Sequence, residues 1–238
     1  MYVPAARKKG PRAILPLGLA LLLAACGGSN SSPVTPEDPL LLDVSASGTS
    51  SANYNLWDLI DTLPYEVLSD AEIAALVFMR EEEKLARDVY LDMSDLWGTQ
   101  IFVNIADSEQ THMDVVLRLI HKYNLEDPAE NRSRGEFADA TMQGLYDSLV
   151  AQGTASLADA LVVGATIEDL DIFDLSQQLT VVDNEDVTVV FENLQKGSRN
   201  HLRAFFGSLD NMNIAYTPMY ISQQEYDDIV NSPMERGP

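Results

Sequence analysis

The sequence predicts an all-α chain, a four-helix bundle with one or two short extra helices. Three observations predict it. Apolar residues recur every three or four positions along four long segments, the spacing that gathers them on one helical face. Capping residues and glycines punctuate these segments where helices should begin and end. Few segments alternate with the period of two that a half-buried strand needs.

Each element can be justified in turn. Ser69-Asp70-Ala71-Glu72 is a capping box, with Ser at the N-cap and Glu three residues on. The helical pattern it opens runs to Trp97 and stops at Gly98. A second helix is expected from about Gln100 to Tyr123, and Asn124 to Gly135, with Asp127-Pro128, reads as a loop. A short helix over about Ala138 to Gln152 should end at Gly153. Ser156 can cap a third long helix carrying ADALVVGATIEDLDIFDLSQQL. Asp183 can cap a fourth, DVTVVFENLQKGSRNHLRAFFGSL. An extended AYTPMYIS follows, and Ser222 with Glu225 caps one last short helix.

The N-terminus belongs to a different class of segment. Residues 1–25 combine a basic stretch (Arg7, Lys8, Lys9, Arg12) with the short apolar run AILPLGLALLLAA, which reads as an export signal. The run is too short to span a bilayer comfortably as a helix. The Leu23-Ala24-Ala25-Cys26 junction resembles a bacterial lipobox, which implies cleavage before Cys26 and lipid attachment to its thiol. An ordinary signal peptide that happens to contain a cysteine is the alternative. Residues 26–52, rich in Ser, Gly, Pro and Thr, read as a flexible tether, with a small apolar patch at Leu40 to Leu42. Residues 53–238 are the folded domain. The chain is thus expected in the bacterial cell envelope, lipid-anchored to the membrane.

Composition excludes several functions. Cys26 is the only cysteine, so the domain has no disulfide, thiolate metal site or cysteine nucleophile. Removing the four basic signal residues leaves 11 Lys/Arg against 37 Asp/Glu, a formal charge of −26. Such a surface repels nucleic acid and attracts cations. Solubility alone accounts for most of these carboxylates.

The apolar stripes carry unexpected polar residues. Leu76, Met79, Glu83, Ala86, Tyr90 and Met93 share one face of the first helix. On the second, Glu109 and His112 lie three apart among Ile105, Val116, Leu119, Ile120 and Tyr123. Leu161, Gly164, Glu168, Asp171, Leu175 and Leu179 line up on the third. Val187, Val190, Leu194, Ser198, His201 and Phe205 do so on the fourth. Glu83, Glu109, His112, Glu168, Asp171 and His201 are all near mid-helix, where the helices of a bundle meet at one level. Four clustered carboxylates would repel one another, and their pKa values would have to rise. Two bridged divalent metal ions remove that problem, and an oxygen and imidazole donor set suits iron or manganese, with zinc also accepted. The competing readings are hydrogen-bonded core histidines, a core Tyr90, an Asp171 at the helix–solvent edge, and carboxylates paired with Arg87, Arg199 and Arg203. Glu81 and Glu82 are expected to point elsewhere, with Glu82 bordering a second apolar row, and His121 to lie at the surface.

These residues match known families. EKLARDVY, IADSEQTH and GATIEDLD resemble the first three helix motifs of the rubrerythrin-like, ferritin-like superfamily. A fourth-helix Glu-x-x-His would be expected, and here Ser198 stands for the Glu while His201 is kept. MREEEKLARDVY, SEQTHMD and SRNHLRAF are more similar to an uncharacterised family, domain of unknown function 2202, over about residues 65 to 230. The resemblance implies a carboxylate-bridged di-metal centre, with iron first among the metals, and a redox reaction with oxygen or peroxide, including ferroxidase-type chemistry. It implies Glu109 and Glu168 as bridges, Glu83 and Asp171 as terminal ligands, and one metal on each of His112 and His201. With no rubredoxin-like cysteine pairs, electrons must come from an external donor. A homodimer is a further option. The alternative class is a non-enzymatic metal-binding or envelope interaction protein.

Overall fold

The computed structural model describes Leu42–Val44, Ser50–Ala52 and residues 60–235. Cys26, the signal segment 1–25 and most of the segment read as a tether lie outside the described residues. Within that segment, β1 (Leu42–Val44) and β2 (Ser50–Ala52) pair antiparallel, with Asp43 opposite Ser51. Every other regular element among the described residues is helical. They are α1 (Asp70–Trp97), α2 (Gln100–Lys122), α3 (Ala140–Gly153), α4 (Leu157–Gln178), α5 (Glu185–Asn211) and α6 (Gln223–Val230). The architecture is an all-α helical bundle. No helix among the described residues is long and apolar enough to cross a membrane.

Four long helices form the bundle. α1 packs along α2 and α4 along α5, while α1 against α4 and α2 against α5 close the square. The first turn-around is tight. Gly98 adopts φ 61°, and its N–H donates to the Ser94 carbonyl at 2.8 Å, so α2 starts after only Gly98 and Thr99. A side chain at Gly98 would be strained in this left-handed conformation. α3 packs across α1 and α4, and α6 lies on α5.

Caps fix the helix starts. The Ser69–Glu72 capping box is formed, and Ser156, Asp139 and Ser222 cap α4, α3 and α6 with their side chains. The start of α5 departs from expectation. Asn184, not Asp183, is its N-cap residue, and it makes no side-chain cap bond. Glu72 does that work from α1, since its Oε1 accepts the N–H groups of Asp183 (3.1 Å) and Asn184 (3.0 Å). Burial raises the Glu72 pKa, but the amides of Ser69, Asn184 and Asp183 outweigh it and hold the carboxyl at about 2.

Two apolar layers fill the bundle. One contains Leu76, Met79, Val116, Leu119, Leu175, Val190 and Leu194. The other contains Val89, Tyr90, Phe102, Ile105, Leu161, Leu202 and Phe205. Each fully buried Leu, Ile or Phe contributes about 1.5–3 kcal/mol. On every long helix the polar mid-helix residues fall between the two layers: Glu83 between Met79 and Tyr90, and Glu109 and His112 between Ile105 and Val116. Glu168 and Asp171 likewise lie between Leu161 and Leu175, and Ser198 and His201 between Leu194 and Phe205. The bundle thus carries a polar slab between two dry ends.

Candidate metal centre

The helical register delivers six side chains to that slab. Glu83 comes from α1, Glu109 and His112 from α2, Glu168 and Asp171 from α4, and His201 from α5; all six are buried. They form two groups of three, Glu83–Glu109–His112 and Glu109–Glu168–His201, each with ligand atoms within 4.8 Å of one another. Glu109 belongs to both. Its Oε2 lies 2.8 Å from His112 Nδ1, and its Oε1 lies 2.8 Å from His201 Nδ1. Glu83 Oε2 completes the first group at 3.2 Å from His112 Nδ1, and Glu168 Oε2 the second at 3.4 Å from His201 Nδ1. The two imidazole rings stack with centroids 5.4 Å apart.

These contacts are only partly hydrogen bonds. His201 Nδ1 has no hydrogen-bond partner despite its two neighbouring carboxylates, and Glu83 Oε1 has none either. Donor atoms that crowd together without bonding to each other converge on a common point, as ligands of a cation do. Leaving such groups buried and unsatisfied costs about 1–3 kcal/mol each. The donor set of carboxylate oxygens and imidazole nitrogens therefore fits divalent iron or manganese.

Protonation follows from the same crowding. Burial, reinforced by Glu109 against the pull of His112, pushes Glu83 up to about 8. Burial also raises Glu168, and raises Asp171 well above the carboxylate range with help from Glu83 and Glu168. Glu109 goes the other way. Burial opposes its charge, but the two flanking histidines overcome that and lower its pKa. Burial likewise opposes both imidazolium ions, yet Glu109 and Glu83 raise His112 well above its usual value, and Glu109 and Glu168 lift His201 to about 9. Without a metal, the cluster neutralises itself by holding protons.

Surrounding residues orient the ligands. Ser108 Oγ lies 2.7 Å from His201 Nε2 and leaves Nδ1 facing the carboxylates. Tyr90, buried as expected of a core residue, also donates its hydroxyl to Glu168 Oε1. Ser198 Oγ contacts both Asp171 Oδ2 and the Leu194 carbonyl, and its single hydrogen serves one of them at a time. His112 Nε2 has no partner. Glu83 bonds the ring at Nδ1, and on the other side only shape confines it, because a Cβ at Gly197 would come within 2.6 Å of His112 Cε1 and Nε2. Ser108 and Gly197 were not singled out from the sequence. A glycine inside a long helix, at a cost of about 1 kcal/mol relative to alanine, was the available signal.

Not every residue of the expected set joins the two groups. Asp171 joins neither group of three; it lies beside them, with Oδ1 unpartnered. Glu168 is grouped with Glu109 and His201, and Glu109 belongs to both groups. Arg87, Arg199 and Arg203 do not pair with the cluster. Arg87 bonds Asp88 and Gln110, and the other two bond Glu235. Arg199 and Arg203 each stand two residues from His201, about 200° around the helix, so they face away from the slab. Glu81 and Glu82 stay out of both groups, as expected, and both are buried. Glu81 accepts the N–H groups of Ala138 and Asp139. His121 is exposed, as expected.

The fold and site together define a helical bundle with a buried carboxylate–imidazole cluster. The chain belongs to the family described as Uncharacterized protein domain (DUF2202), whose sequence model matches residues 72–233 and so includes every residue of the cluster. It is 54% identical over 180 residues to Uncharacterized protein MJ0754 of Methanocaldococcus jannaschii, a match covering 76% of this chain and 97% of the relative. The crystal structure of hypothetical protein MJ0754 from Methanococcus jannaschii matches with a TM-score of 0.72, covering 73% of this chain and 99% of that one.

Proposed function

We propose that the cluster holds two divalent metal ions, iron first among them, and that the protein is an oxidoreductase of ferritin-like type acting on oxygen or peroxide. The observation that carries this reading is the pair of buried three-residue groups sharing Glu109, with ligand atoms left unbonded. When bound, such a metal pair would supply electrons to oxygen or peroxide and could oxidise further ferrous ions. Glu83, Glu109 and His112 would hold one metal, and Glu109, Glu168 and His201 the other. Ser108 keeps the His201 ring in the ligating orientation, and Tyr90 fixes Glu168. The apolar layers on either side keep bulk water from the slab.

Lipid attachment at Cys26 and a place in the bacterial cell envelope remain part of the proposal. They rest on the Leu-Ala-Ala-Cys junction and the signal-like segment before it. An external electron donor is proposed because the chain has no second cysteine.

The test is to load metal-free protein anaerobically with ferrous iron and mix it with oxygen or hydrogen peroxide. Repeated consumption with an added reductant supports the enzyme. A single absorbance change without turnover makes this a metal-binding protein and removes the catalytic reading.

A further inference from the structure

Arg199, Asn200 and Arg203 belong to neither group of the cluster, yet all three converge on one short segment after α6. The Glu235 carboxylate accepts from Arg199 Nε (2.8 Å) and Nη2 and from Arg203 Nη2 (2.9 Å). Asn200 pairs with the backbone of the same residue in both directions. Its Nδ2 donates to the Glu235 carbonyl at 3.0 Å, and its Oδ1 accepts the Glu235 N–H at 2.9 Å. Arg203 also donates to Ser232 Oγ (2.7 Å) and to the Ile229 carbonyl (2.9 Å). Asn200 and Arg203 are both buried. A carboxylate held by guanidinium forks is among the stronger side-chain contacts.

These three residues flank His201 next to the stretch of α5 that is least secure on its own. Gly197, four residues before His201, is a poor helix former. Ser198 Oγ bonds the Leu194 carbonyl at 2.9 Å, four residues back, a contact that weakens and bends helices. Neither residue can be exchanged for a better helix former without disturbing the cluster. A Cβ at Gly197 would strike the His112 ring, and Ser198 Oγ also contacts Asp171. The weak turn is thus built into the site, and the hold of Glu235 falls directly after it. We propose that Ser232–Glu235 is a clip that keeps the His201 turn of α5 in ligating register, so that closing the clip and binding metal at the Glu109–Glu168–His201 group strengthen each other. The proposal rests on the two-metal reading above. Glu235 is a positioning residue, acting through Arg199, Asn200 and Arg203. Linkage makes the effect reciprocal: the factor by which the clip raises metal affinity is the factor by which metal favours the closed clip.

The experiment titrates Mn2+ calorimetrically into metal-free, full-length wild type, Glu235→Ala and Ser108→Ala, and follows hydrogen exchange of the wild-type Glu235 amide with and without Mn2+. Glu235→Ala should weaken one binding step about tenfold, the same step that Ser108→Ala weakens, and leave the other step unchanged. Exchange of the Glu235 amide should slow by a similar factor once Mn2+ is bound. A Glu235→Ala protein that melts at a lower temperature but binds both ions as tightly as wild type makes the segment a brace for folding alone and overturns the proposal. Equal weakening of both steps overturns it too, because the effect is then not confined to the His201 group. If Glu235→Ala does not fold, exchange in the wild type decides: slowing with Mn2+ supports the clip, and an unchanged rate overturns it. A wild-type protein that takes up no Mn2+ overturns the two-metal reading itself, and the clip with it.

Discussion

The two halves of the cluster have the same ligand set, two carboxylates and one imidazole, and are held in different ways. In the His201 half, polar contacts do the holding: Ser108 on the ring, Tyr90 on Glu168, and Ser198 on the neighbouring Asp171. In the His112 half, Glu83 bonds the near nitrogen, but the far nitrogen has no partner and only the space left by Gly197 confines that side of the ring. The sequence motifs point the opposite way, because the His112 half carries the full Glu-x-x-His pair and the other half has Ser198. A ligand motif and the support around it are therefore separate properties. The half with the poorer motif has the richer hydrogen bonding.

The largest effect should come from breaking what the halves share. Glu109→Ala removes a ligand from both groups, and metal content should fall from two ions per chain to nearly none, read by elemental analysis. Next, each half can be broken by its own kind of support. Gly197→Ala drives a methyl group into the His112 ring and should weaken one of two metal-binding steps about 10- to 100-fold. Ser108→Ala frees the His201 ring and should weaken the other step by about tenfold. Calorimetric titration with Mn2+ checks both, and the two variants must affect different steps for the comparison to stand.

A smaller effect concerns protons. Glu83 at about 8 and His201 at about 9 hold protons at neutral pH in the metal-free protein. Ligation needs these groups deprotonated, so metal uptake should release protons and apparent affinity should rise with pH up to about 9. Indicator dye in weak buffer reads the release directly. Unchanged affinity between pH 6 and 9 would contradict it.

The smallest effect on the centre should come from Glu72, which lies outside the slab. Glu72→Ala should cost about 2 kcal/mol of folding stability through its lost cap and amide bonds, yet leave metal stoichiometry unchanged. Its folded pKa of about 2 lies below the ordinary 4.5, so the unfolded chain takes up the proton first as pH falls. This contribution is therefore fully present above about pH 5 and is lost as pH drops toward 2. Denaturant melts of wild type and variant should converge over that window.

Much of this was legible in the sequence, for particular reasons. The helices could be read because Ser69, Ser156, Ser222 and Gly98 act locally, on backbone groups a few residues away. The six slab residues could be read because a carboxylate or imidazole on an apolar stripe stands out against its neighbours. What could not be read depends on contacts between distant segments. The cap of α5 is supplied by Glu72, more than 100 residues earlier. Ser108 looks like any helix serine until His201 is beside it, and Gly197 until His112 is. Glu82 borders an apolar row on its own helix, and its burial appears only once the bundle is assembled. The arginines misled because their reach says nothing about which carboxylate is nearer.

The central claim is that Glu109 joins two metal-binding groups in one centre. Elemental analysis of anaerobically purified full-length protein, made alongside Glu109→Ala, tests it most directly. The account predicts two divalent ions per chain in the wild type and essentially none in the variant. A wild-type protein without stoichiometric metal, or a Glu109→Ala protein that keeps both ions, would contradict it.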